Sequence, residues 1–395
     1  MRIQLWSYNY DPESSGIGPL SAVWAQAMKA RGHQIDVVAA HPHYPAPIWG
    51  RKLKPYREWR DGIRVLRLPL WAGRASAQQR IRQEASFAAA VTLAAPTLGT
   101  PDVIIAVSPS FPALVPAMAN TRARRIPWVL WLQDVLPDAA LVSGILEEGT
   151  TIKLARRLER AAYESAARIV VISESFQENR RAKGVDPAKM VRSYNPASLA
   201  ILGAPRDEAT VDAATVLTMG NIGYSQNLVS VTRAFEDSTE LRDLNARFVM
   251  AGDGQAGAEV RAAIRTDRVR VTGMLDSDAL ERELRRATVA VVSQGYGGVD
   301  FNVPSKLMNF MGYGIATVAS VRTNSEIARI IARSGGGWVT PSSDPAQAAR
   351  QIAEALRNPE ARAQRGQAAL DYARSHFAPE HSAERFEAML RDIVR

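Results

Sequence analysis

Short apolar strand signals alternate with helix signals along the whole chain, and the alternation runs twice. The first run predicts strands at 2–7, 34–39, 63–68, 103–107, 128–132 and 169–172. Helices are predicted over 19–31, 78–95 and 151–167. The pattern restarts after a loop-like stretch, 199–214, which reads as a linker. Strands then follow at 215–219, 247–251, 269–271, 289–292, 315–320 and 337–339, again with helices between them. Two further helices precede Pro379, and a last one covers 380–394. Short buried strands joined through helices build a parallel α/β sheet. A chain of 395 residues has room for two such sheets. The expected fold is therefore two doubly wound, Rossmann-like α/β domains in tandem. Ligands of such domains bind at the carboxyl ends of the strands, in a cleft where those ends face each other.

Composition narrows the class. There is no cysteine, so neither a disulfide framework nor a thiolate metal site can form. The start, MRIQLWSYNY, reads as a first strand and not a signal peptide, and no run of about 18 apolar residues predicts a membrane span. The charge is unevenly placed: residues 1–200 carry a net +10 and residues 201–395 a net −1. Seven of the eight tryptophans lie in the basic half. Its densest patch contains Arg51, Lys52, Lys54, Arg57, Trp59 and Arg60. Basic and aromatic residues mixed in this way suit an anionic phospholipid surface, or form a solvated loop. No recognition helix or RNA-binding signature points to nucleic acid.

The chemistry concentrates at strand-to-helix turns. In 299–320, VDFNVPSKLMNFMGYGIATVAS, a loop runs into an apolar helix that Gly312-Tyr313-Gly314 stops. Ser305 and Lys306 fall at the helix N-terminus, where amides, the helix dipole and a cation attract a diphosphate. Gly220-Asn221-Ile222-Gly223 follows the first strand of the second domain and can wrap a phosphate likewise. Gly252 and Gly254 follow the next strand and, taken alone, read first as a β-turn. Glu326 caps or opens a later helix. In the first domain, Gly16 and Gly18 open a helix, but the dinucleotide fingerprint fails: Ser21 stands at the third glycine, and no acidic residue ends the second strand. His41 and His43, in HPHYP with Tyr44, have no further ligands nearby and read as a loop lining an acceptor. Asn195-Pro196 reads as a hinge turn, and Glu174 as the cap of a helix beginning at 173–175.

Taken in order, YDPESSGIGPL, AMKARGHQIDVVAAHPHYP, LQDVLPDAALVSGIL, VVISESF, SYNPASL, MGNIGYSQNL, MAGDGQ, VPSKLMNFMGYG and SGGGWVTPSSDP resemble the retaining GT-B glycosyltransferases of family 4. The subgroup they resemble is the colanic-acid and exopolysaccharide type. The resemblance implies a GT-B fold. Residues 1–200, with the final helix 380–395 crossing back, would bind the acceptor, and residues 201–379 the nucleotide sugar. It implies transfer with retention; together with the basic, Trp-rich half it leads to an expected place in the cytoplasm or at the inner face of the cell membrane, with an acceptor such as a lipid-linked saccharide. No metal and no cofactor is implied beyond a donor such as a UDP- or GDP-sugar. Lys306 would be the main cation on the diphosphate. Ser305, the 220–223 loop, Gly252, Gly254 and Glu326 would line the donor, with Gly16 and Gly18 facing it. His41, His43, Tyr44, Gln133 and Asp134 would line the acceptor.

The sequence also departs from the family. Phe301 and Asn309 stand where two glutamates are usual; Asn309 can still bond a ribose hydroxyl, and Asp300 is adjacent. Tyr224, Gln226 and Asn227 occupy the place of an Arg/Lys pair. Gln133-Asp134 replaces a histidine, so Asp134 either orients and deprotonates an acceptor hydroxyl or caps a turn. These departures keep two alternatives open: a nucleotide-sugar epimerase or hydrolase on the same fold, and a non-catalytic sugar-nucleotide binder.

Overall fold

The computed structural model describes the chain apart from residues 14–15, 44–52, 72, 74–75, 109, 111, 135–148, 198–213, 296–302 and 395. Tyr44, Arg51, Lys52, Asp300 and Phe301 therefore lie outside the described residues. Contacts divide the chain into two units: Met1–Pro196 with Pro379–Arg395, and Ala197–Ala378. Ala197, the first residue of the second unit, donates its amide to the Phe377 carbonyl (2.8 Å) of the same unit.

In the first unit the sheet runs β3-β4-β2-β1-β5-β6-β7-β8. Its strands are β1 (Arg2–Ser7), β2 (Gln34–Ala40), β3 (Tyr56–Arg60), β4 (Ile63–Leu68), β5 (Val103–Val107), β6 (Trp128–Leu132), β7 (Arg168–Val171) and β8 (Met190–Arg192). All neighbours are parallel except the hairpin β3–β4. The order of the central strands reverses between β1 and β5. Helices α1 (Ile17–Ala30), α2 (Ala77–Ala94), α3 (Leu114–Arg124), α4 (Thr150–Ser165) and α5 (Glu174–Ala182) connect them.

In the second unit six parallel strands run β11-β10-β9-β12-β13-β14, the classical doubly wound order with its switch between β9 and β12. They are β9 (Thr215–Met219), β10 (Arg247–Ala251), β11 (Val269–Val271), β12 (Val289–Ser293), β13 (Thr317–Val321) and β14 (Gly337–Pro341). The helices are α6 (Leu228–Asp237), α7 (Thr239–Asp243), α8 (Gly257–Ala263), α9 (Ser277–Arg286), α10 (Ser305–Gly312), α11 (Glu326–Ser334), α12 (Pro345–Arg357) and α13 (Pro359–His376). Buried Val216, Phe235, Phe248, Val291, Val318 and Ile352 form one core layer between the sheet and its helices.

The last helix, α14 (Pro379–Ile393), belongs to the first unit, and its sequence shows why. Phe386 lies 5.0 Å from both Trp24 of α1 and Trp131 of β6, ring centre to ring centre. Glu387 accepts from Arg31 at the end of α1 (2.8 Å). Aromatic pairs of this kind each add about 0.5–1.5 kcal/mol beyond the area they bury.

Several local expectations need correction. Ser173, not Glu174, caps α5: its Oγ accepts from the Phe176 amide (3.0 Å), while Glu174 pairs with Arg192. Strand β13 starts at Thr317, two residues late, because the chain is still closing α10. Gly314, at φ +65°, donates to Met311 and Ile315 donates to Phe310 (2.9 Å). This pair of bonds is a Schellman closure. Strands β3 and β8 and helices α3 and α7 carry no periodicity strong enough to announce them. The basic patch is largely the edge strand β3. Arg57 and Trp59 face out, whereas the Tyr56 ring lies tilted against His41 and Arg60 pairs with Asp11 (3.2 Å).

Candidate functional site

In the second unit, the loops after β9, β10 and β12 and the start of α10 meet at the carboxyl ends of the strands, beside the β9/β12 switch. Gly220 leaves β9 at φ +91°, a backbone that glycine adopts without strain. Its amide donates to Ala251 (2.8 Å), and the Ile222 amide donates to Asp253 (2.9 Å). The two loops run so close that a Cβ on Gly252 would collide with the Gly220 carbonyl, and one on Gly254 with the Ile222 backbone. Gly252 and Gly254 thus serve backbone approach. The amides of Gly220 and Ile222 are spent holding the loop, which leaves Asn221 and Gly223 as the loop's candidates for a phosphate. Gly295 donates to the Ser225 carbonyl (2.6 Å), which ties the β12 exit across the switch point.

Lys306 is the second residue of α10, and only 7% of it is exposed. Its stem passes over Gly220, whose missing Cβ would lie 3.9 Å from Cε. Its Nζ donates to Gln226 Oε1 at 2.6 Å. Burial pulls the ammonium down from the usual lysine value to a pKa of about 8. Pro304 stands at the N-cap, so no side chain caps the helix. Ser305 is exposed at its first position, and Asn309, half-buried, lies one turn along on the Ser305 face. The result is an uncapped helix N-terminus with a buried lysine and an exposed hydroxyl. Glu326 is fully buried in the first turn of α11; Ser325 is the cap, accepting from Ala328 (3.2 Å).

In the first unit, Gly16 is the N-cap of α1 at φ +69°, and a Cβ on Gly18 would come within 3.1 Å of the Glu13 carbonyl. The Glu13 side chain is the residue that sequence reasoning missed. Buried beneath the turn, its carboxylate accepts from the His43 amide (2.7 Å) and from Asn9 Nδ2 (2.8 Å). His43 Nδ1 lies 2.9 Å from the His41 carbonyl and 3.2 Å from Glu13. Facing two acceptors, Nδ1 carries the proton. Glu13 therefore stitches the glycine turn to the loop after β2. Both histidines are buried, His43 edge-on to Tyr8 and His41 beside Tyr56. Gln133 is not open to a ligand through its amide: it and Asn195 exchange two bonds (2.9 and 2.7 Å). Asp134 is half-buried just past β6.

Buried hydroxyls mark the same edges. Ser108 and Ser110, after β5, have no hydrogen-bond partner among the described residues. Ser293, Ser320 and Thr340 also have none, and they stand in register across β12, β13 and β14. A serine at or near the end of an otherwise apolar strand, as in VAVVS, was the available signal. Among the described residues, no three His, Asp or Glu side chains gather as a metal site, and no helix is long and apolar enough to cross a membrane.

Two family models match the chain. A glycosyl transferase 4-like domain covers residues 15–196, and a glycosyl transferases group 1 domain covers 213–358. The chain belongs to the GT-B glycosyltransferases of family 4. Among its relatives is the colanic acid biosynthesis glycosyl transferase WcaI of Escherichia coli K12. The two are 27% identical over 352 residues, which is 84% of this chain and 86% of the relative. Sucrose-phosphate synthase from Thermosynechococcus elongatus superposes with a TM-score of 0.74 at 17% identity, over 99% of this glycosyltransferase and 98% of that chain. HepE of Anabaena, in complex with UDP-glucose, superposes with a TM-score of 0.69 at 13% identity, over 99% and 100%. At such identities the superpositions speak for the fold.

Proposed function

We propose that this glycosyltransferase moves a sugar from a nucleoside-diphosphate donor to a saccharide acceptor in cell-surface polysaccharide assembly. The observation that carries the reading is Lys306, buried at an uncapped helix N-terminus beside the glycine loop at the switch point. The donor diphosphate lies against Lys306, Ser305 and the amides of Asn221 and Gly223, with a ribose hydroxyl on Asn309. As the glycosidic bond to the phosphate breaks, negative charge builds on the leaving oxygen, and a fixed cation and helix amides stabilise it without reorganising. The diphosphate is neutralised in this way without a metal, and transfer proceeds with retention at the sugar carbon. A UDP-sugar heads the candidate donors, since HepE holds UDP-glucose on the same fold; the polysaccharide setting follows the name of WcaI. The acceptor lies against the Glu13-fixed His41–His43 loop and Asp134.

The acceptor is carried on lipid at an anionic membrane surface, met by the β3–β4 edge. Leu53, Trp59 and Trp71, all at least 69% exposed, lie in or next to these strands along the chain with Lys54 and Arg57, and exposed Leu93 lines a cavity with Arg57. Incubation of the protein with UDP-, GDP-, dTDP- and ADP-sugars, with and without a lipid-linked saccharide and in EDTA, tests the reading. A new glycoside whose anomeric configuration matches that of the donor supports it. Free sugar alone, or a need for added metal, refutes it.

A further inference from the structure

The amino-terminal edge of the second unit's sheet holds a cavity of about 440 Å³. It lies at the opposite end of the strands from the glycine loops. Thr215, the first residue of β9, lines it, and Gly220 is five residues further on, about 17 Å along an extended strand. Its floor is Phe248 and Val249 at the start of β10, and its walls carry Arg247, Arg268, Arg270 and Arg286. Asp267 and Glu283 are the acidic lining residues, so the walls hold a net charge of +2. Glu283 is already engaged by Arg270 (2.9 Å), which pins α9 to β11. Among the described residues no carboxylate lies within ion-pair distance of Arg247 or Arg286. Arg268 is fixed in place: its guanidinium lies 5.5 Å from the Phe235 ring centre and 3.6 Å from Glu236.

Two arginines with no carboxylate partner among the described residues, beside a third that is held in place, match the oxygens of a phosphate, which arginine binds through paired N–H donors. The volume lies within the usual range of small-molecule sites and exceeds the needs of an inorganic ion. We propose that this cavity binds a small phosphate monoester, separately from the donor. Such a site lets a phosphorylated sugar act on the donor-binding unit without entering the donor pocket.

Isothermal titration of the full chain with inorganic phosphate, and in a second arm with glucose 6-phosphate, tests this. Both probes are expected to bind saturably to the wild type and equally well to Lys306→Met. Affinity should fall at least about tenfold in Arg247→Ala/Arg286→Ala, whose exposed positions leave the fold and melting temperature unchanged. Tighter binding of the hexose phosphate assigns the site to a sugar monoester; equal binding assigns it to free phosphate. Absence of saturable binding below about 10 mM overturns the proposal. So does loss of binding in Lys306→Met, which would place the phosphate in the donor pocket. Wild-type affinity in the double arginine variant overturns it as well. None of these readouts needs turnover, so failure of the donor reading leaves the result interpretable.

Discussion

Lys306→Met gives opposite outcomes for stability and for donor handling. The free protein holds this lysine at a pKa of about 8 because it is buried. Moving it there from the ordinary value of 10.5 costs the folded state about 3 kcal/mol when the group is charged. The sign follows from linkage. The folded pKa is lowered, so between about pH 8 and 10.5 the unfolded chain binds more protons than the folded one. Stability of the wild type should therefore rise through that window, and the cost is fully present below pH 8. A bound diphosphate needs the ammonium, so donor affinity should fall over the same window. Methionine keeps the stem but removes both the charge and the bond to Gln226. Its stability should lose the wild type's rise between pH 8 and 10.5, and the variant should melt no lower than the wild type at pH 7. Its kcat/KM should fall by about 10²–10³, the usual effect of removing one fixed donor to a developing anion. Thermal melts from pH 7 to 10.5 and initial rates at saturating acceptor measure both. Turnover like the wild type's, or donor affinity that is flat across the window, would refute the placement of the diphosphate.

Other outcomes follow from the same structure. Glu13→Ala leaves the His43 amide and Asn9 without their acceptor, and should cost about 2–4 kcal/mol in chemical denaturation. Glu13→Gln should recover part of that while still raising KM for acceptor; an unchanged acceptor KM would exclude the positioning role. Gly252→Ala drives a methyl into the Gly220 carbonyl and should abolish donor binding in a calorimetric titration while leaving the first unit's near-ultraviolet signal. Phe386→Ala empties the space between Trp24 and Trp131 and should lower stability by about 3–5 kcal/mol, with the donor dissociation constant unchanged. Trp59→Ala with Arg57→Ala should weaken co-sedimentation with anionic vesicles, at about 1 kcal/mol for the charge. Equal binding of the wild type to neutral and anionic vesicles would remove the membrane surface from the account.

Long-range order was the most legible part of the sequence. Buried parallel strands read as unbroken apolar runs, so VIIAV, WVLWL and VAVVS announce themselves. The restart near residue 200 marks two sheets. Edge strand β3 did not, because an edge strand with charged residues on both faces, YREWR, has no apolar side to detect. Helix α10 was legible through Pro304-Ser305-Lys306, since the physics of a helix N-terminus is local. Its partner was not: Gln226 lies 80 positions away from Lys306, and only the fold brings the two to 2.6 Å. The backbone approach that Gly252 and Gly254 serve was hidden for a related reason. A glycine that admits a ligand and one that admits another loop look alike until the second loop is in place. Glu13 was hidden in the same way, since its bond from the His43 amide comes from 30 positions away.

The central claim is that Lys306 takes up a proton to hold a donor diphosphate. Calorimetric titration at pH 8.5 with the best-binding nucleotide sugar, in two buffers of different ionisation enthalpy, measures that proton directly. Uptake of a fraction of a proton per donor bound, lost together with most of the affinity in Lys306→Met, is the expected result. Binding with no buffer dependence, or binding that Lys306→Met retains in full, would contradict it.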